Sequence, residues 1–264
     1  GDVMLNLTLP PLIFVSMVSD INFERLAIGW LLPLVSFIMV LIGVFIANKL
    51  GKLLSISQGC LGTFKILCSM PNTAFIGFPI ILSLLGKEGL AYAVLFDFGI
   101  TVAFFSVAIL VLEGEKGEFN WLSALKNPPF LAVIVGLIVN KLNLEIPGLI
   151  MEALQTMGNT TTPLAMLIMG SMIAGVKFSI KSFDLKLVAV CFFKLCIYPL
   201  LAVIILAPLR LDPLIRAVII IETAMPSMAS TPVLVQKYGG DETFAASGTF
   251  LTTLCSVFTI PLMI

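Results

Sequence analysis

The chain has 264 residues, 59% of them hydrophobic and 11% charged, with 15 basic and 15 acidic side chains and no histidine. A soluble domain of this length cannot bury that much apolar surface against itself, so most of it must face lipid. The net charge of zero by itself says nothing about partners, and no nucleic-acid partner or cofactor is expected; five cysteines without CxxC spacing, in a chain without histidine, point to no metal or disulfide.

Nine apolar segments follow one another at approximately 3–19, 28–48, 57–84, 89–112, 127–142, 148–175, 184–208, 212–237 and 242–264. Most are long enough to cross a hydrocarbon core of about 30 Å as helices rising about 1.5 Å per residue. They lack the period-two alternation of barrel strands. The expected fold class is therefore an all-α membrane protein. The chain opens on Gly1-Asp2 inside an apolar stretch, with no basic n-region and no small-residue cleavage site, which reads as the absence of a signal peptide and a truncated start. Cys60, Cys68, Cys191, Cys196 and Cys255 all fall in apolar spans and read as small buried hydrophobes.

The third span is interrupted at Met70-Pro71-Asn72 and the eighth at Met225-Pro226-Ser227. Proline removes a backbone donor and clashes with the carbonyl four residues back, so each span should break near mid-membrane. In lipid such a break is tolerated only where protein or a wet cavity satisfies the freed groups, which turns both breaks inward. Each creates a half-helix whose first amides carry a partial positive charge suited to an anion. Asn72 and Thr73 follow the first proline, and Ser227, Ser230 and Thr231 follow the second, giving hydroxyl and amide donors without fixed charge. A simple pair of proline kinks is the plainer alternative.

Four ionisable residues lie inside spans, where an uncompensated charge costs on the order of 2.5–3.5 kcal/mol. They are Asp97, Glu222, Lys65 and Lys194. Asp97, and Glu222 four residues before Pro226, are candidates for proton or sodium coupling. Mutual pairing, or snorkelling of a lysine to the interface, accounts for the four as well. Asn6, just before Leu9-Pro10-Pro11-Leu12, could face the same cavity, or cap and pack its own helix.

The two breaks also mark an internal repeat. Residues 68–73 align with 223–228, and a Gly-containing turn follows at Leu85-Gly86 and at Gly239-Gly240. Pro11 precedes Pro71 by 60 residues, and Pro163 precedes Pro226 by 63. The second half holds five spans and the first four, so a first helix is expected to be missing. Restoring it gives an inverted five-plus-five repeat: residues 1–112, a cytoplasmic linker at 113–126, and residues 127–264. Lys49, Lys52, Lys116, Lys126, Lys177, Lys181, Lys186 and Lys237 fall on one set of connections, against Arg25, Lys87, Lys141, Arg210 and Arg216 on the other. Eight against five places the first set in the cytoplasm and the C-terminus outside.

The stretches "LPPLIF" at 9–14, "MPNTAFIGFPI" at 70–80, "TPLAMLIMGSM" at 162–172 and "AMPSMASTPVLVQKYGGD" at 224–241 resemble the auxin efflux carrier family along essentially the whole chain. The resemblance implies a fold similar to sodium/proton antiporters, with a scaffold panel and a mobile panel carrying two crossed helices. It also implies a carboxylate site at Pro71, Asn72 and Pro226. The short connection at about 113–127 suits a compact member of a prokaryotic plasma membrane, with a homodimer through the scaffold helices as a further expectation.

The leading function is elevator-type secondary transport of a small organic anion, a carboxylate such as malate, malonate or an auxin-like acid. The alternative is a carrier fold kept as a ligand sensor without net transport. An enzyme would need a nucleophile–base or paired-acid constellation that this sequence lacks.

Overall fold

A computed structural model describes residues 3–19, 29–113, 128–164, 167, 170, 171 and 184–263. Arg25, Lys116, Lys126, Lys177, Lys181 and the linker at 114–126 lie outside them. Among the described residues the regular structure is helical. Helix α1 (Leu9–Ser19) continues a π turn at Met4–Thr8, and α2 spans Leu32–Leu53. Helix α3 (Gln58–Ser69) stops at the first break and resumes as a π turn, Thr73–Gly77, that runs into α4 (Phe78–Ala103). A further π turn at Phe104–Ala108 leads to α5 (Ile109–Glu113).

The second part contains α6 (Pro128–Lys141), α7 (Gly148–Asn159) and α8 (Leu185–Phe192), which passes through a π turn at Phe193–Ile197 into α9 (Tyr198–Leu206). Helix α10 (Pro213–Ala224) ends at the second break, α11 (Thr231–Tyr238) resumes after it, and α12 spans Glu242–Met263. Among the described residues, four stretches are long and apolar enough to cross a membrane: Leu32–Leu53, Thr73–Glu113, Leu185–Leu206 and Glu242–Met263. The second has 41 residues, about twice what a bilayer needs. It is divided at Gly86, whose φ of 68° and ψ of −164° leave the helix. The left-handed region is open to glycine at little steric cost, so the chain turns there as the sequence predicts. Gly239 and Gly240, with φ of 93° and 130°, do the same after α11.

The helices form two groups. Helix α1 packs against α6 and α7, while α2 packs on α3 and α4, and α12 on α8 and α11. Helix α4 joins the groups, touching α1 and α6 on one side and α2 and α10 on the other. Within the first group, Asn140 donates to the carbonyls of Met17 (3.1 Å) and Val18 (2.8 Å), satisfying acceptors that the end of α1 leaves open. In the second group, the Gly239–Asp241 turn docks on the start of α3. The Asp241 amide donates to Thr63 Oγ1 (3.2 Å), and Cys60 Sγ lies 3.2 Å from Asp241 Oδ2. Lys49, Lys52 and Lys237 therefore gather at one end of the bundle. All five cysteines are free, and Cys68 is fully buried.

Close approach between α2 and α4 depends on Gly99, where an added Cβ would meet the Pro33 carbonyl carbon at 2.8 Å. Gly99→Val should cost about 1–3 kcal/mol through overpacking. It is checked by a lower midpoint of thermal unfolding in detergent; an unchanged midpoint contradicts the packing described.

Candidate functional site

The two breaks meet. Met70 is extended (φ −102°, ψ 111°), as is Met225 (φ −61°, ψ 146°), and Pro71 and Ser227 form an antiparallel bridge. The Asn72 amide donates to the Pro226 carbonyl at 2.8 Å, and the Met228 amide donates to the Met70 carbonyl at 3.0 Å. Each interrupted helix thus supplies the partner that the other has lost. Side chains complete the pairing: Ser227 Oγ donates to the Leu67 carbonyl (2.6 Å), and Thr252 Oγ1 accepts from the Ser227 amide (3.2 Å). The amides after each break, expected to be unpaired, are therefore partly taken. Those free of their own helix at 73–76 follow Asn72, whose carbonyl accepts from the Gly77 amide at 3.2 Å.

Beside this crossing lies a cavity of about 150 Å³. Asn72, Thr73, Asp97, Thr101 and Ser230 provide its polar wall, and Phe75, Phe104, Phe105, Met228 and Pro129 provide apolar surface. Pro129 belongs to α6, so the cavity sits where the α1–α6–α7 group faces the broken helices. Thr73 donates its hydroxyl to Asp97, and Thr101, one helical turn beyond Asp97, also hydrogen-bonds to it. Two of the π turns, Thr73–Gly77 and Phe104–Ala108, border this space. Such turns interrupt the regular ladder and often mark working sites.

Glu222 occupies a different place. It is fully buried behind the crossing, and both carboxylate oxygens lack a hydrogen-bond partner among the described residues. Its room comes from Gly77, where an added Cβ would come within 2.8 Å of the carboxylate carbon. Lys194, in the Phe193–Ile197 π turn, and Asp97 both interact with Glu222 electrostatically. Lys194 Nζ donates to the Thr223 carbonyl (3.0 Å) and lies 4.3 Å from the centre of the Tyr198 ring. An ammonium there answers both the carboxylate and the negative end of α10.

The structure thus brings Asn72, Thr73, Asp97 and Ser230 around one cavity. Pro71, Pro226 and Ser227 build the crossing itself, and Glu222 sits behind it. Asn6 lies exposed in the Met4–Thr8 turn and does not line the cavity. Thr101 was missed, although its i+4 spacing from Asp97 puts it on the same helix face. Pro129 and Thr252 come from distant segments, and no local signal marks them.

Two segments, residues 2–120 and 114–264, match the family described as Membrane transport protein. The chain belongs to this family, the auxin efflux carrier type. It is 27% identical over 274 residues to an uncharacterized transporter of Methanocaldococcus jannaschii, covering 99% of this chain and 87% of that one. It is also 27% identical over 263 residues to an uncharacterized transporter of Methanothermobacter thermautotrophicus, covering 98% and 85%. This member is accordingly an integral, multi-pass membrane transporter, whose partners are the lipid bilayer and a carried solute.

Ser227 and Ser230 stand three residues apart in different roles. Ser227→Ala removes a buried bond across the crossing and should cost about 1–3 kcal/mol. Ser230→Ala should change stability by less than about 0.5 kcal/mol. Thermal unfolding in detergent compares them, and equal losses would remove the distinction.

Proposed function

We propose that the protein is a secondary carrier of a small organic anion, a carboxylate such as malate, malonate or an auxin-like acid, moved by elevator-type alternating access. The observation that supports this most is the cavity beside the crossing. It offers the first amides of a half-helix, the Asn72 side chain and the Thr73, Thr101 and Ser230 hydroxyls, among aromatic and apolar walls. Amides at a helix start stabilise a carboxylate without a fixed cation, so the anion is held and can still leave. Arginine and lysine are absent from the described lining.

An elevator movement is consistent with the two helix groups, because the cavity lies on their boundary. Helices α1, α6 and α7 would serve as scaffold, and the crossed helices would travel with α2, α8, α9 and α12. The inverted five-plus-five repeat draws support from the reciprocal backbone bonds at the crossing and from the glycine turns that follow each break. The exposed Leu131, Val135 and Ile138 of α6 are scaffold surface open to lipid or to a second copy in a homodimer. A prokaryotic plasma membrane with the C-terminus outside accords with the archaeal relatives and the lysine distribution.

Reconstituted in liposomes, the protein should take up at least one of labelled malate, malonate and indole-3-acetate in a saturable manner. Asn72→Ala should weaken that uptake about five- to tenfold, the loss of roughly one net hydrogen bond of 1–1.5 kcal/mol. Binding of these acids without flux would make the protein a sensor. Unchanged affinity in Asn72→Ala would take that side chain out of the site.

A further inference from the structure

We propose that each anion crosses together with one proton carried on Asp97, and that sodium takes no part; this rests on the anion-carrier function above. Asp97 is 7% exposed, and that exposure opens on the cavity. An ionised Asp97 and a bound carboxylate would face each other across a space of about 150 Å³ that no Lys or Arg among the described residues lines. Two like charges about 5 Å apart at an effective dielectric of about 20 oppose each other enough to weaken binding roughly a hundredfold or more. Anion binding therefore requires Asp97 to be neutral.

Among the described residues, the surrounding helices hold no cation placed to neutralise it. Helix α1 has no ionisable residue, α6 has Lys141 in its last turn, and α2 has Lys49 and Lys52 toward its far end. Helix α10 contributes Arg216 two turns from the crossing and Glu222, a second acid that interacts with Asp97. Lys194 stands beyond Glu222 and is bonded to the Thr223 carbonyl. A cation must arrive from solution.

Sodium at a broken helix is held by several oxygens, in large part unwound backbone carbonyls. Here five of the carbonyls around the breaks already accept a hydrogen bond. Leu67 accepts from Ser227 Oγ, Met70 from the Met228 amide, Pro226 from the Asn72 amide, Thr223 from Lys194 and Asn72 from the Gly77 amide. The two threonine hydroxyls beside Asp97 already point their protons at it. A proton needs no such cage. It bonds to a carboxylate oxygen on the loading side, leaving a neutral acid beside the anion, and that O–H bond breaks to water on the far side. One proton and one anion cross per cycle.

The test uses the full chain in liposomes with an internal pH dye and labelled malonate, malate or indole-3-acetate, with protein-free vesicles as the leak control. Uptake should acidify the interior, an inward proton gradient should raise it at least tenfold, and exchanging sodium for choline should leave it unchanged. In the wild type, anion exchange should slow as pH rises from about 7 to 8.5, where malonate itself stays doubly charged. Asp97→Asn should abolish both the gradient stimulation and this pH dependence. Uptake driven by a sodium gradient, or proton movement with Asp97→Asn equal to wild type, overturns the proposal. If the variant does not fold, the wild-type proton and sodium measurements decide alone. Anion uptake without proton movement refutes only the coupling; no flux or exchange of any of the three acids refutes the carrier function as well.

Discussion

The molecule is organised around two backbone hydrogen bonds, Asn72 to Pro226 and Met228 to Met70. A proline break inside lipid leaves amides and carbonyls that cost several kcal/mol each if unpaired. Neither broken helix could stay in the membrane alone. Meeting at their breaks, they satisfy each other in part, and Ser227 and Thr252 add two further bonds. The extended backbone held this way leaves the start of the Thr73–Gly77 turn beside a cavity that small polar side chains line.

Around that crossing, charge is distributed with economy. Lys194 and Glu222 lie behind it, fully buried, with the ammonium on the Thr223 carbonyl and the carboxylate fitted against Gly77. Asp97 lies in front, where the cavity opens. Lys194 and Glu222 interact electrostatically without a direct hydrogen bond between them, while Asp97 is the acid that borders the cavity.

Much of this was legible in the sequence, because proline, glycine and charge have local consequences in lipid. Pro71 and Pro226 forced breaks, Gly86 and Gly239-Gly240 forced turns, and Asp97 stood out in an apolar span. Ser227 and Ser230 could not be told apart, since both follow the second proline and their roles depend on which way each faces. Pro129 and Thr252 were invisible because their positions depend on packing between segments far apart in the chain. Asn6 looked like a cavity residue from its place before Pro10, yet the Met4–Thr8 π turn sets it on the exposed face.

The carried anion is proposed to occupy the cavity between the α1–α6–α7 group and the crossing. Labelling at Ser230 tests that most directly. With the five native cysteines replaced by serine, Ser230→Cys is reacted with a maleimide in liposomes, with and without the acid that the vesicles take up. Saturating acid should slow the labelling several-fold, while labelling of a control cysteine at exposed Leu53 should be unaffected. An unchanged rate at position 230 in protein that still transports the acid would place the anion elsewhere.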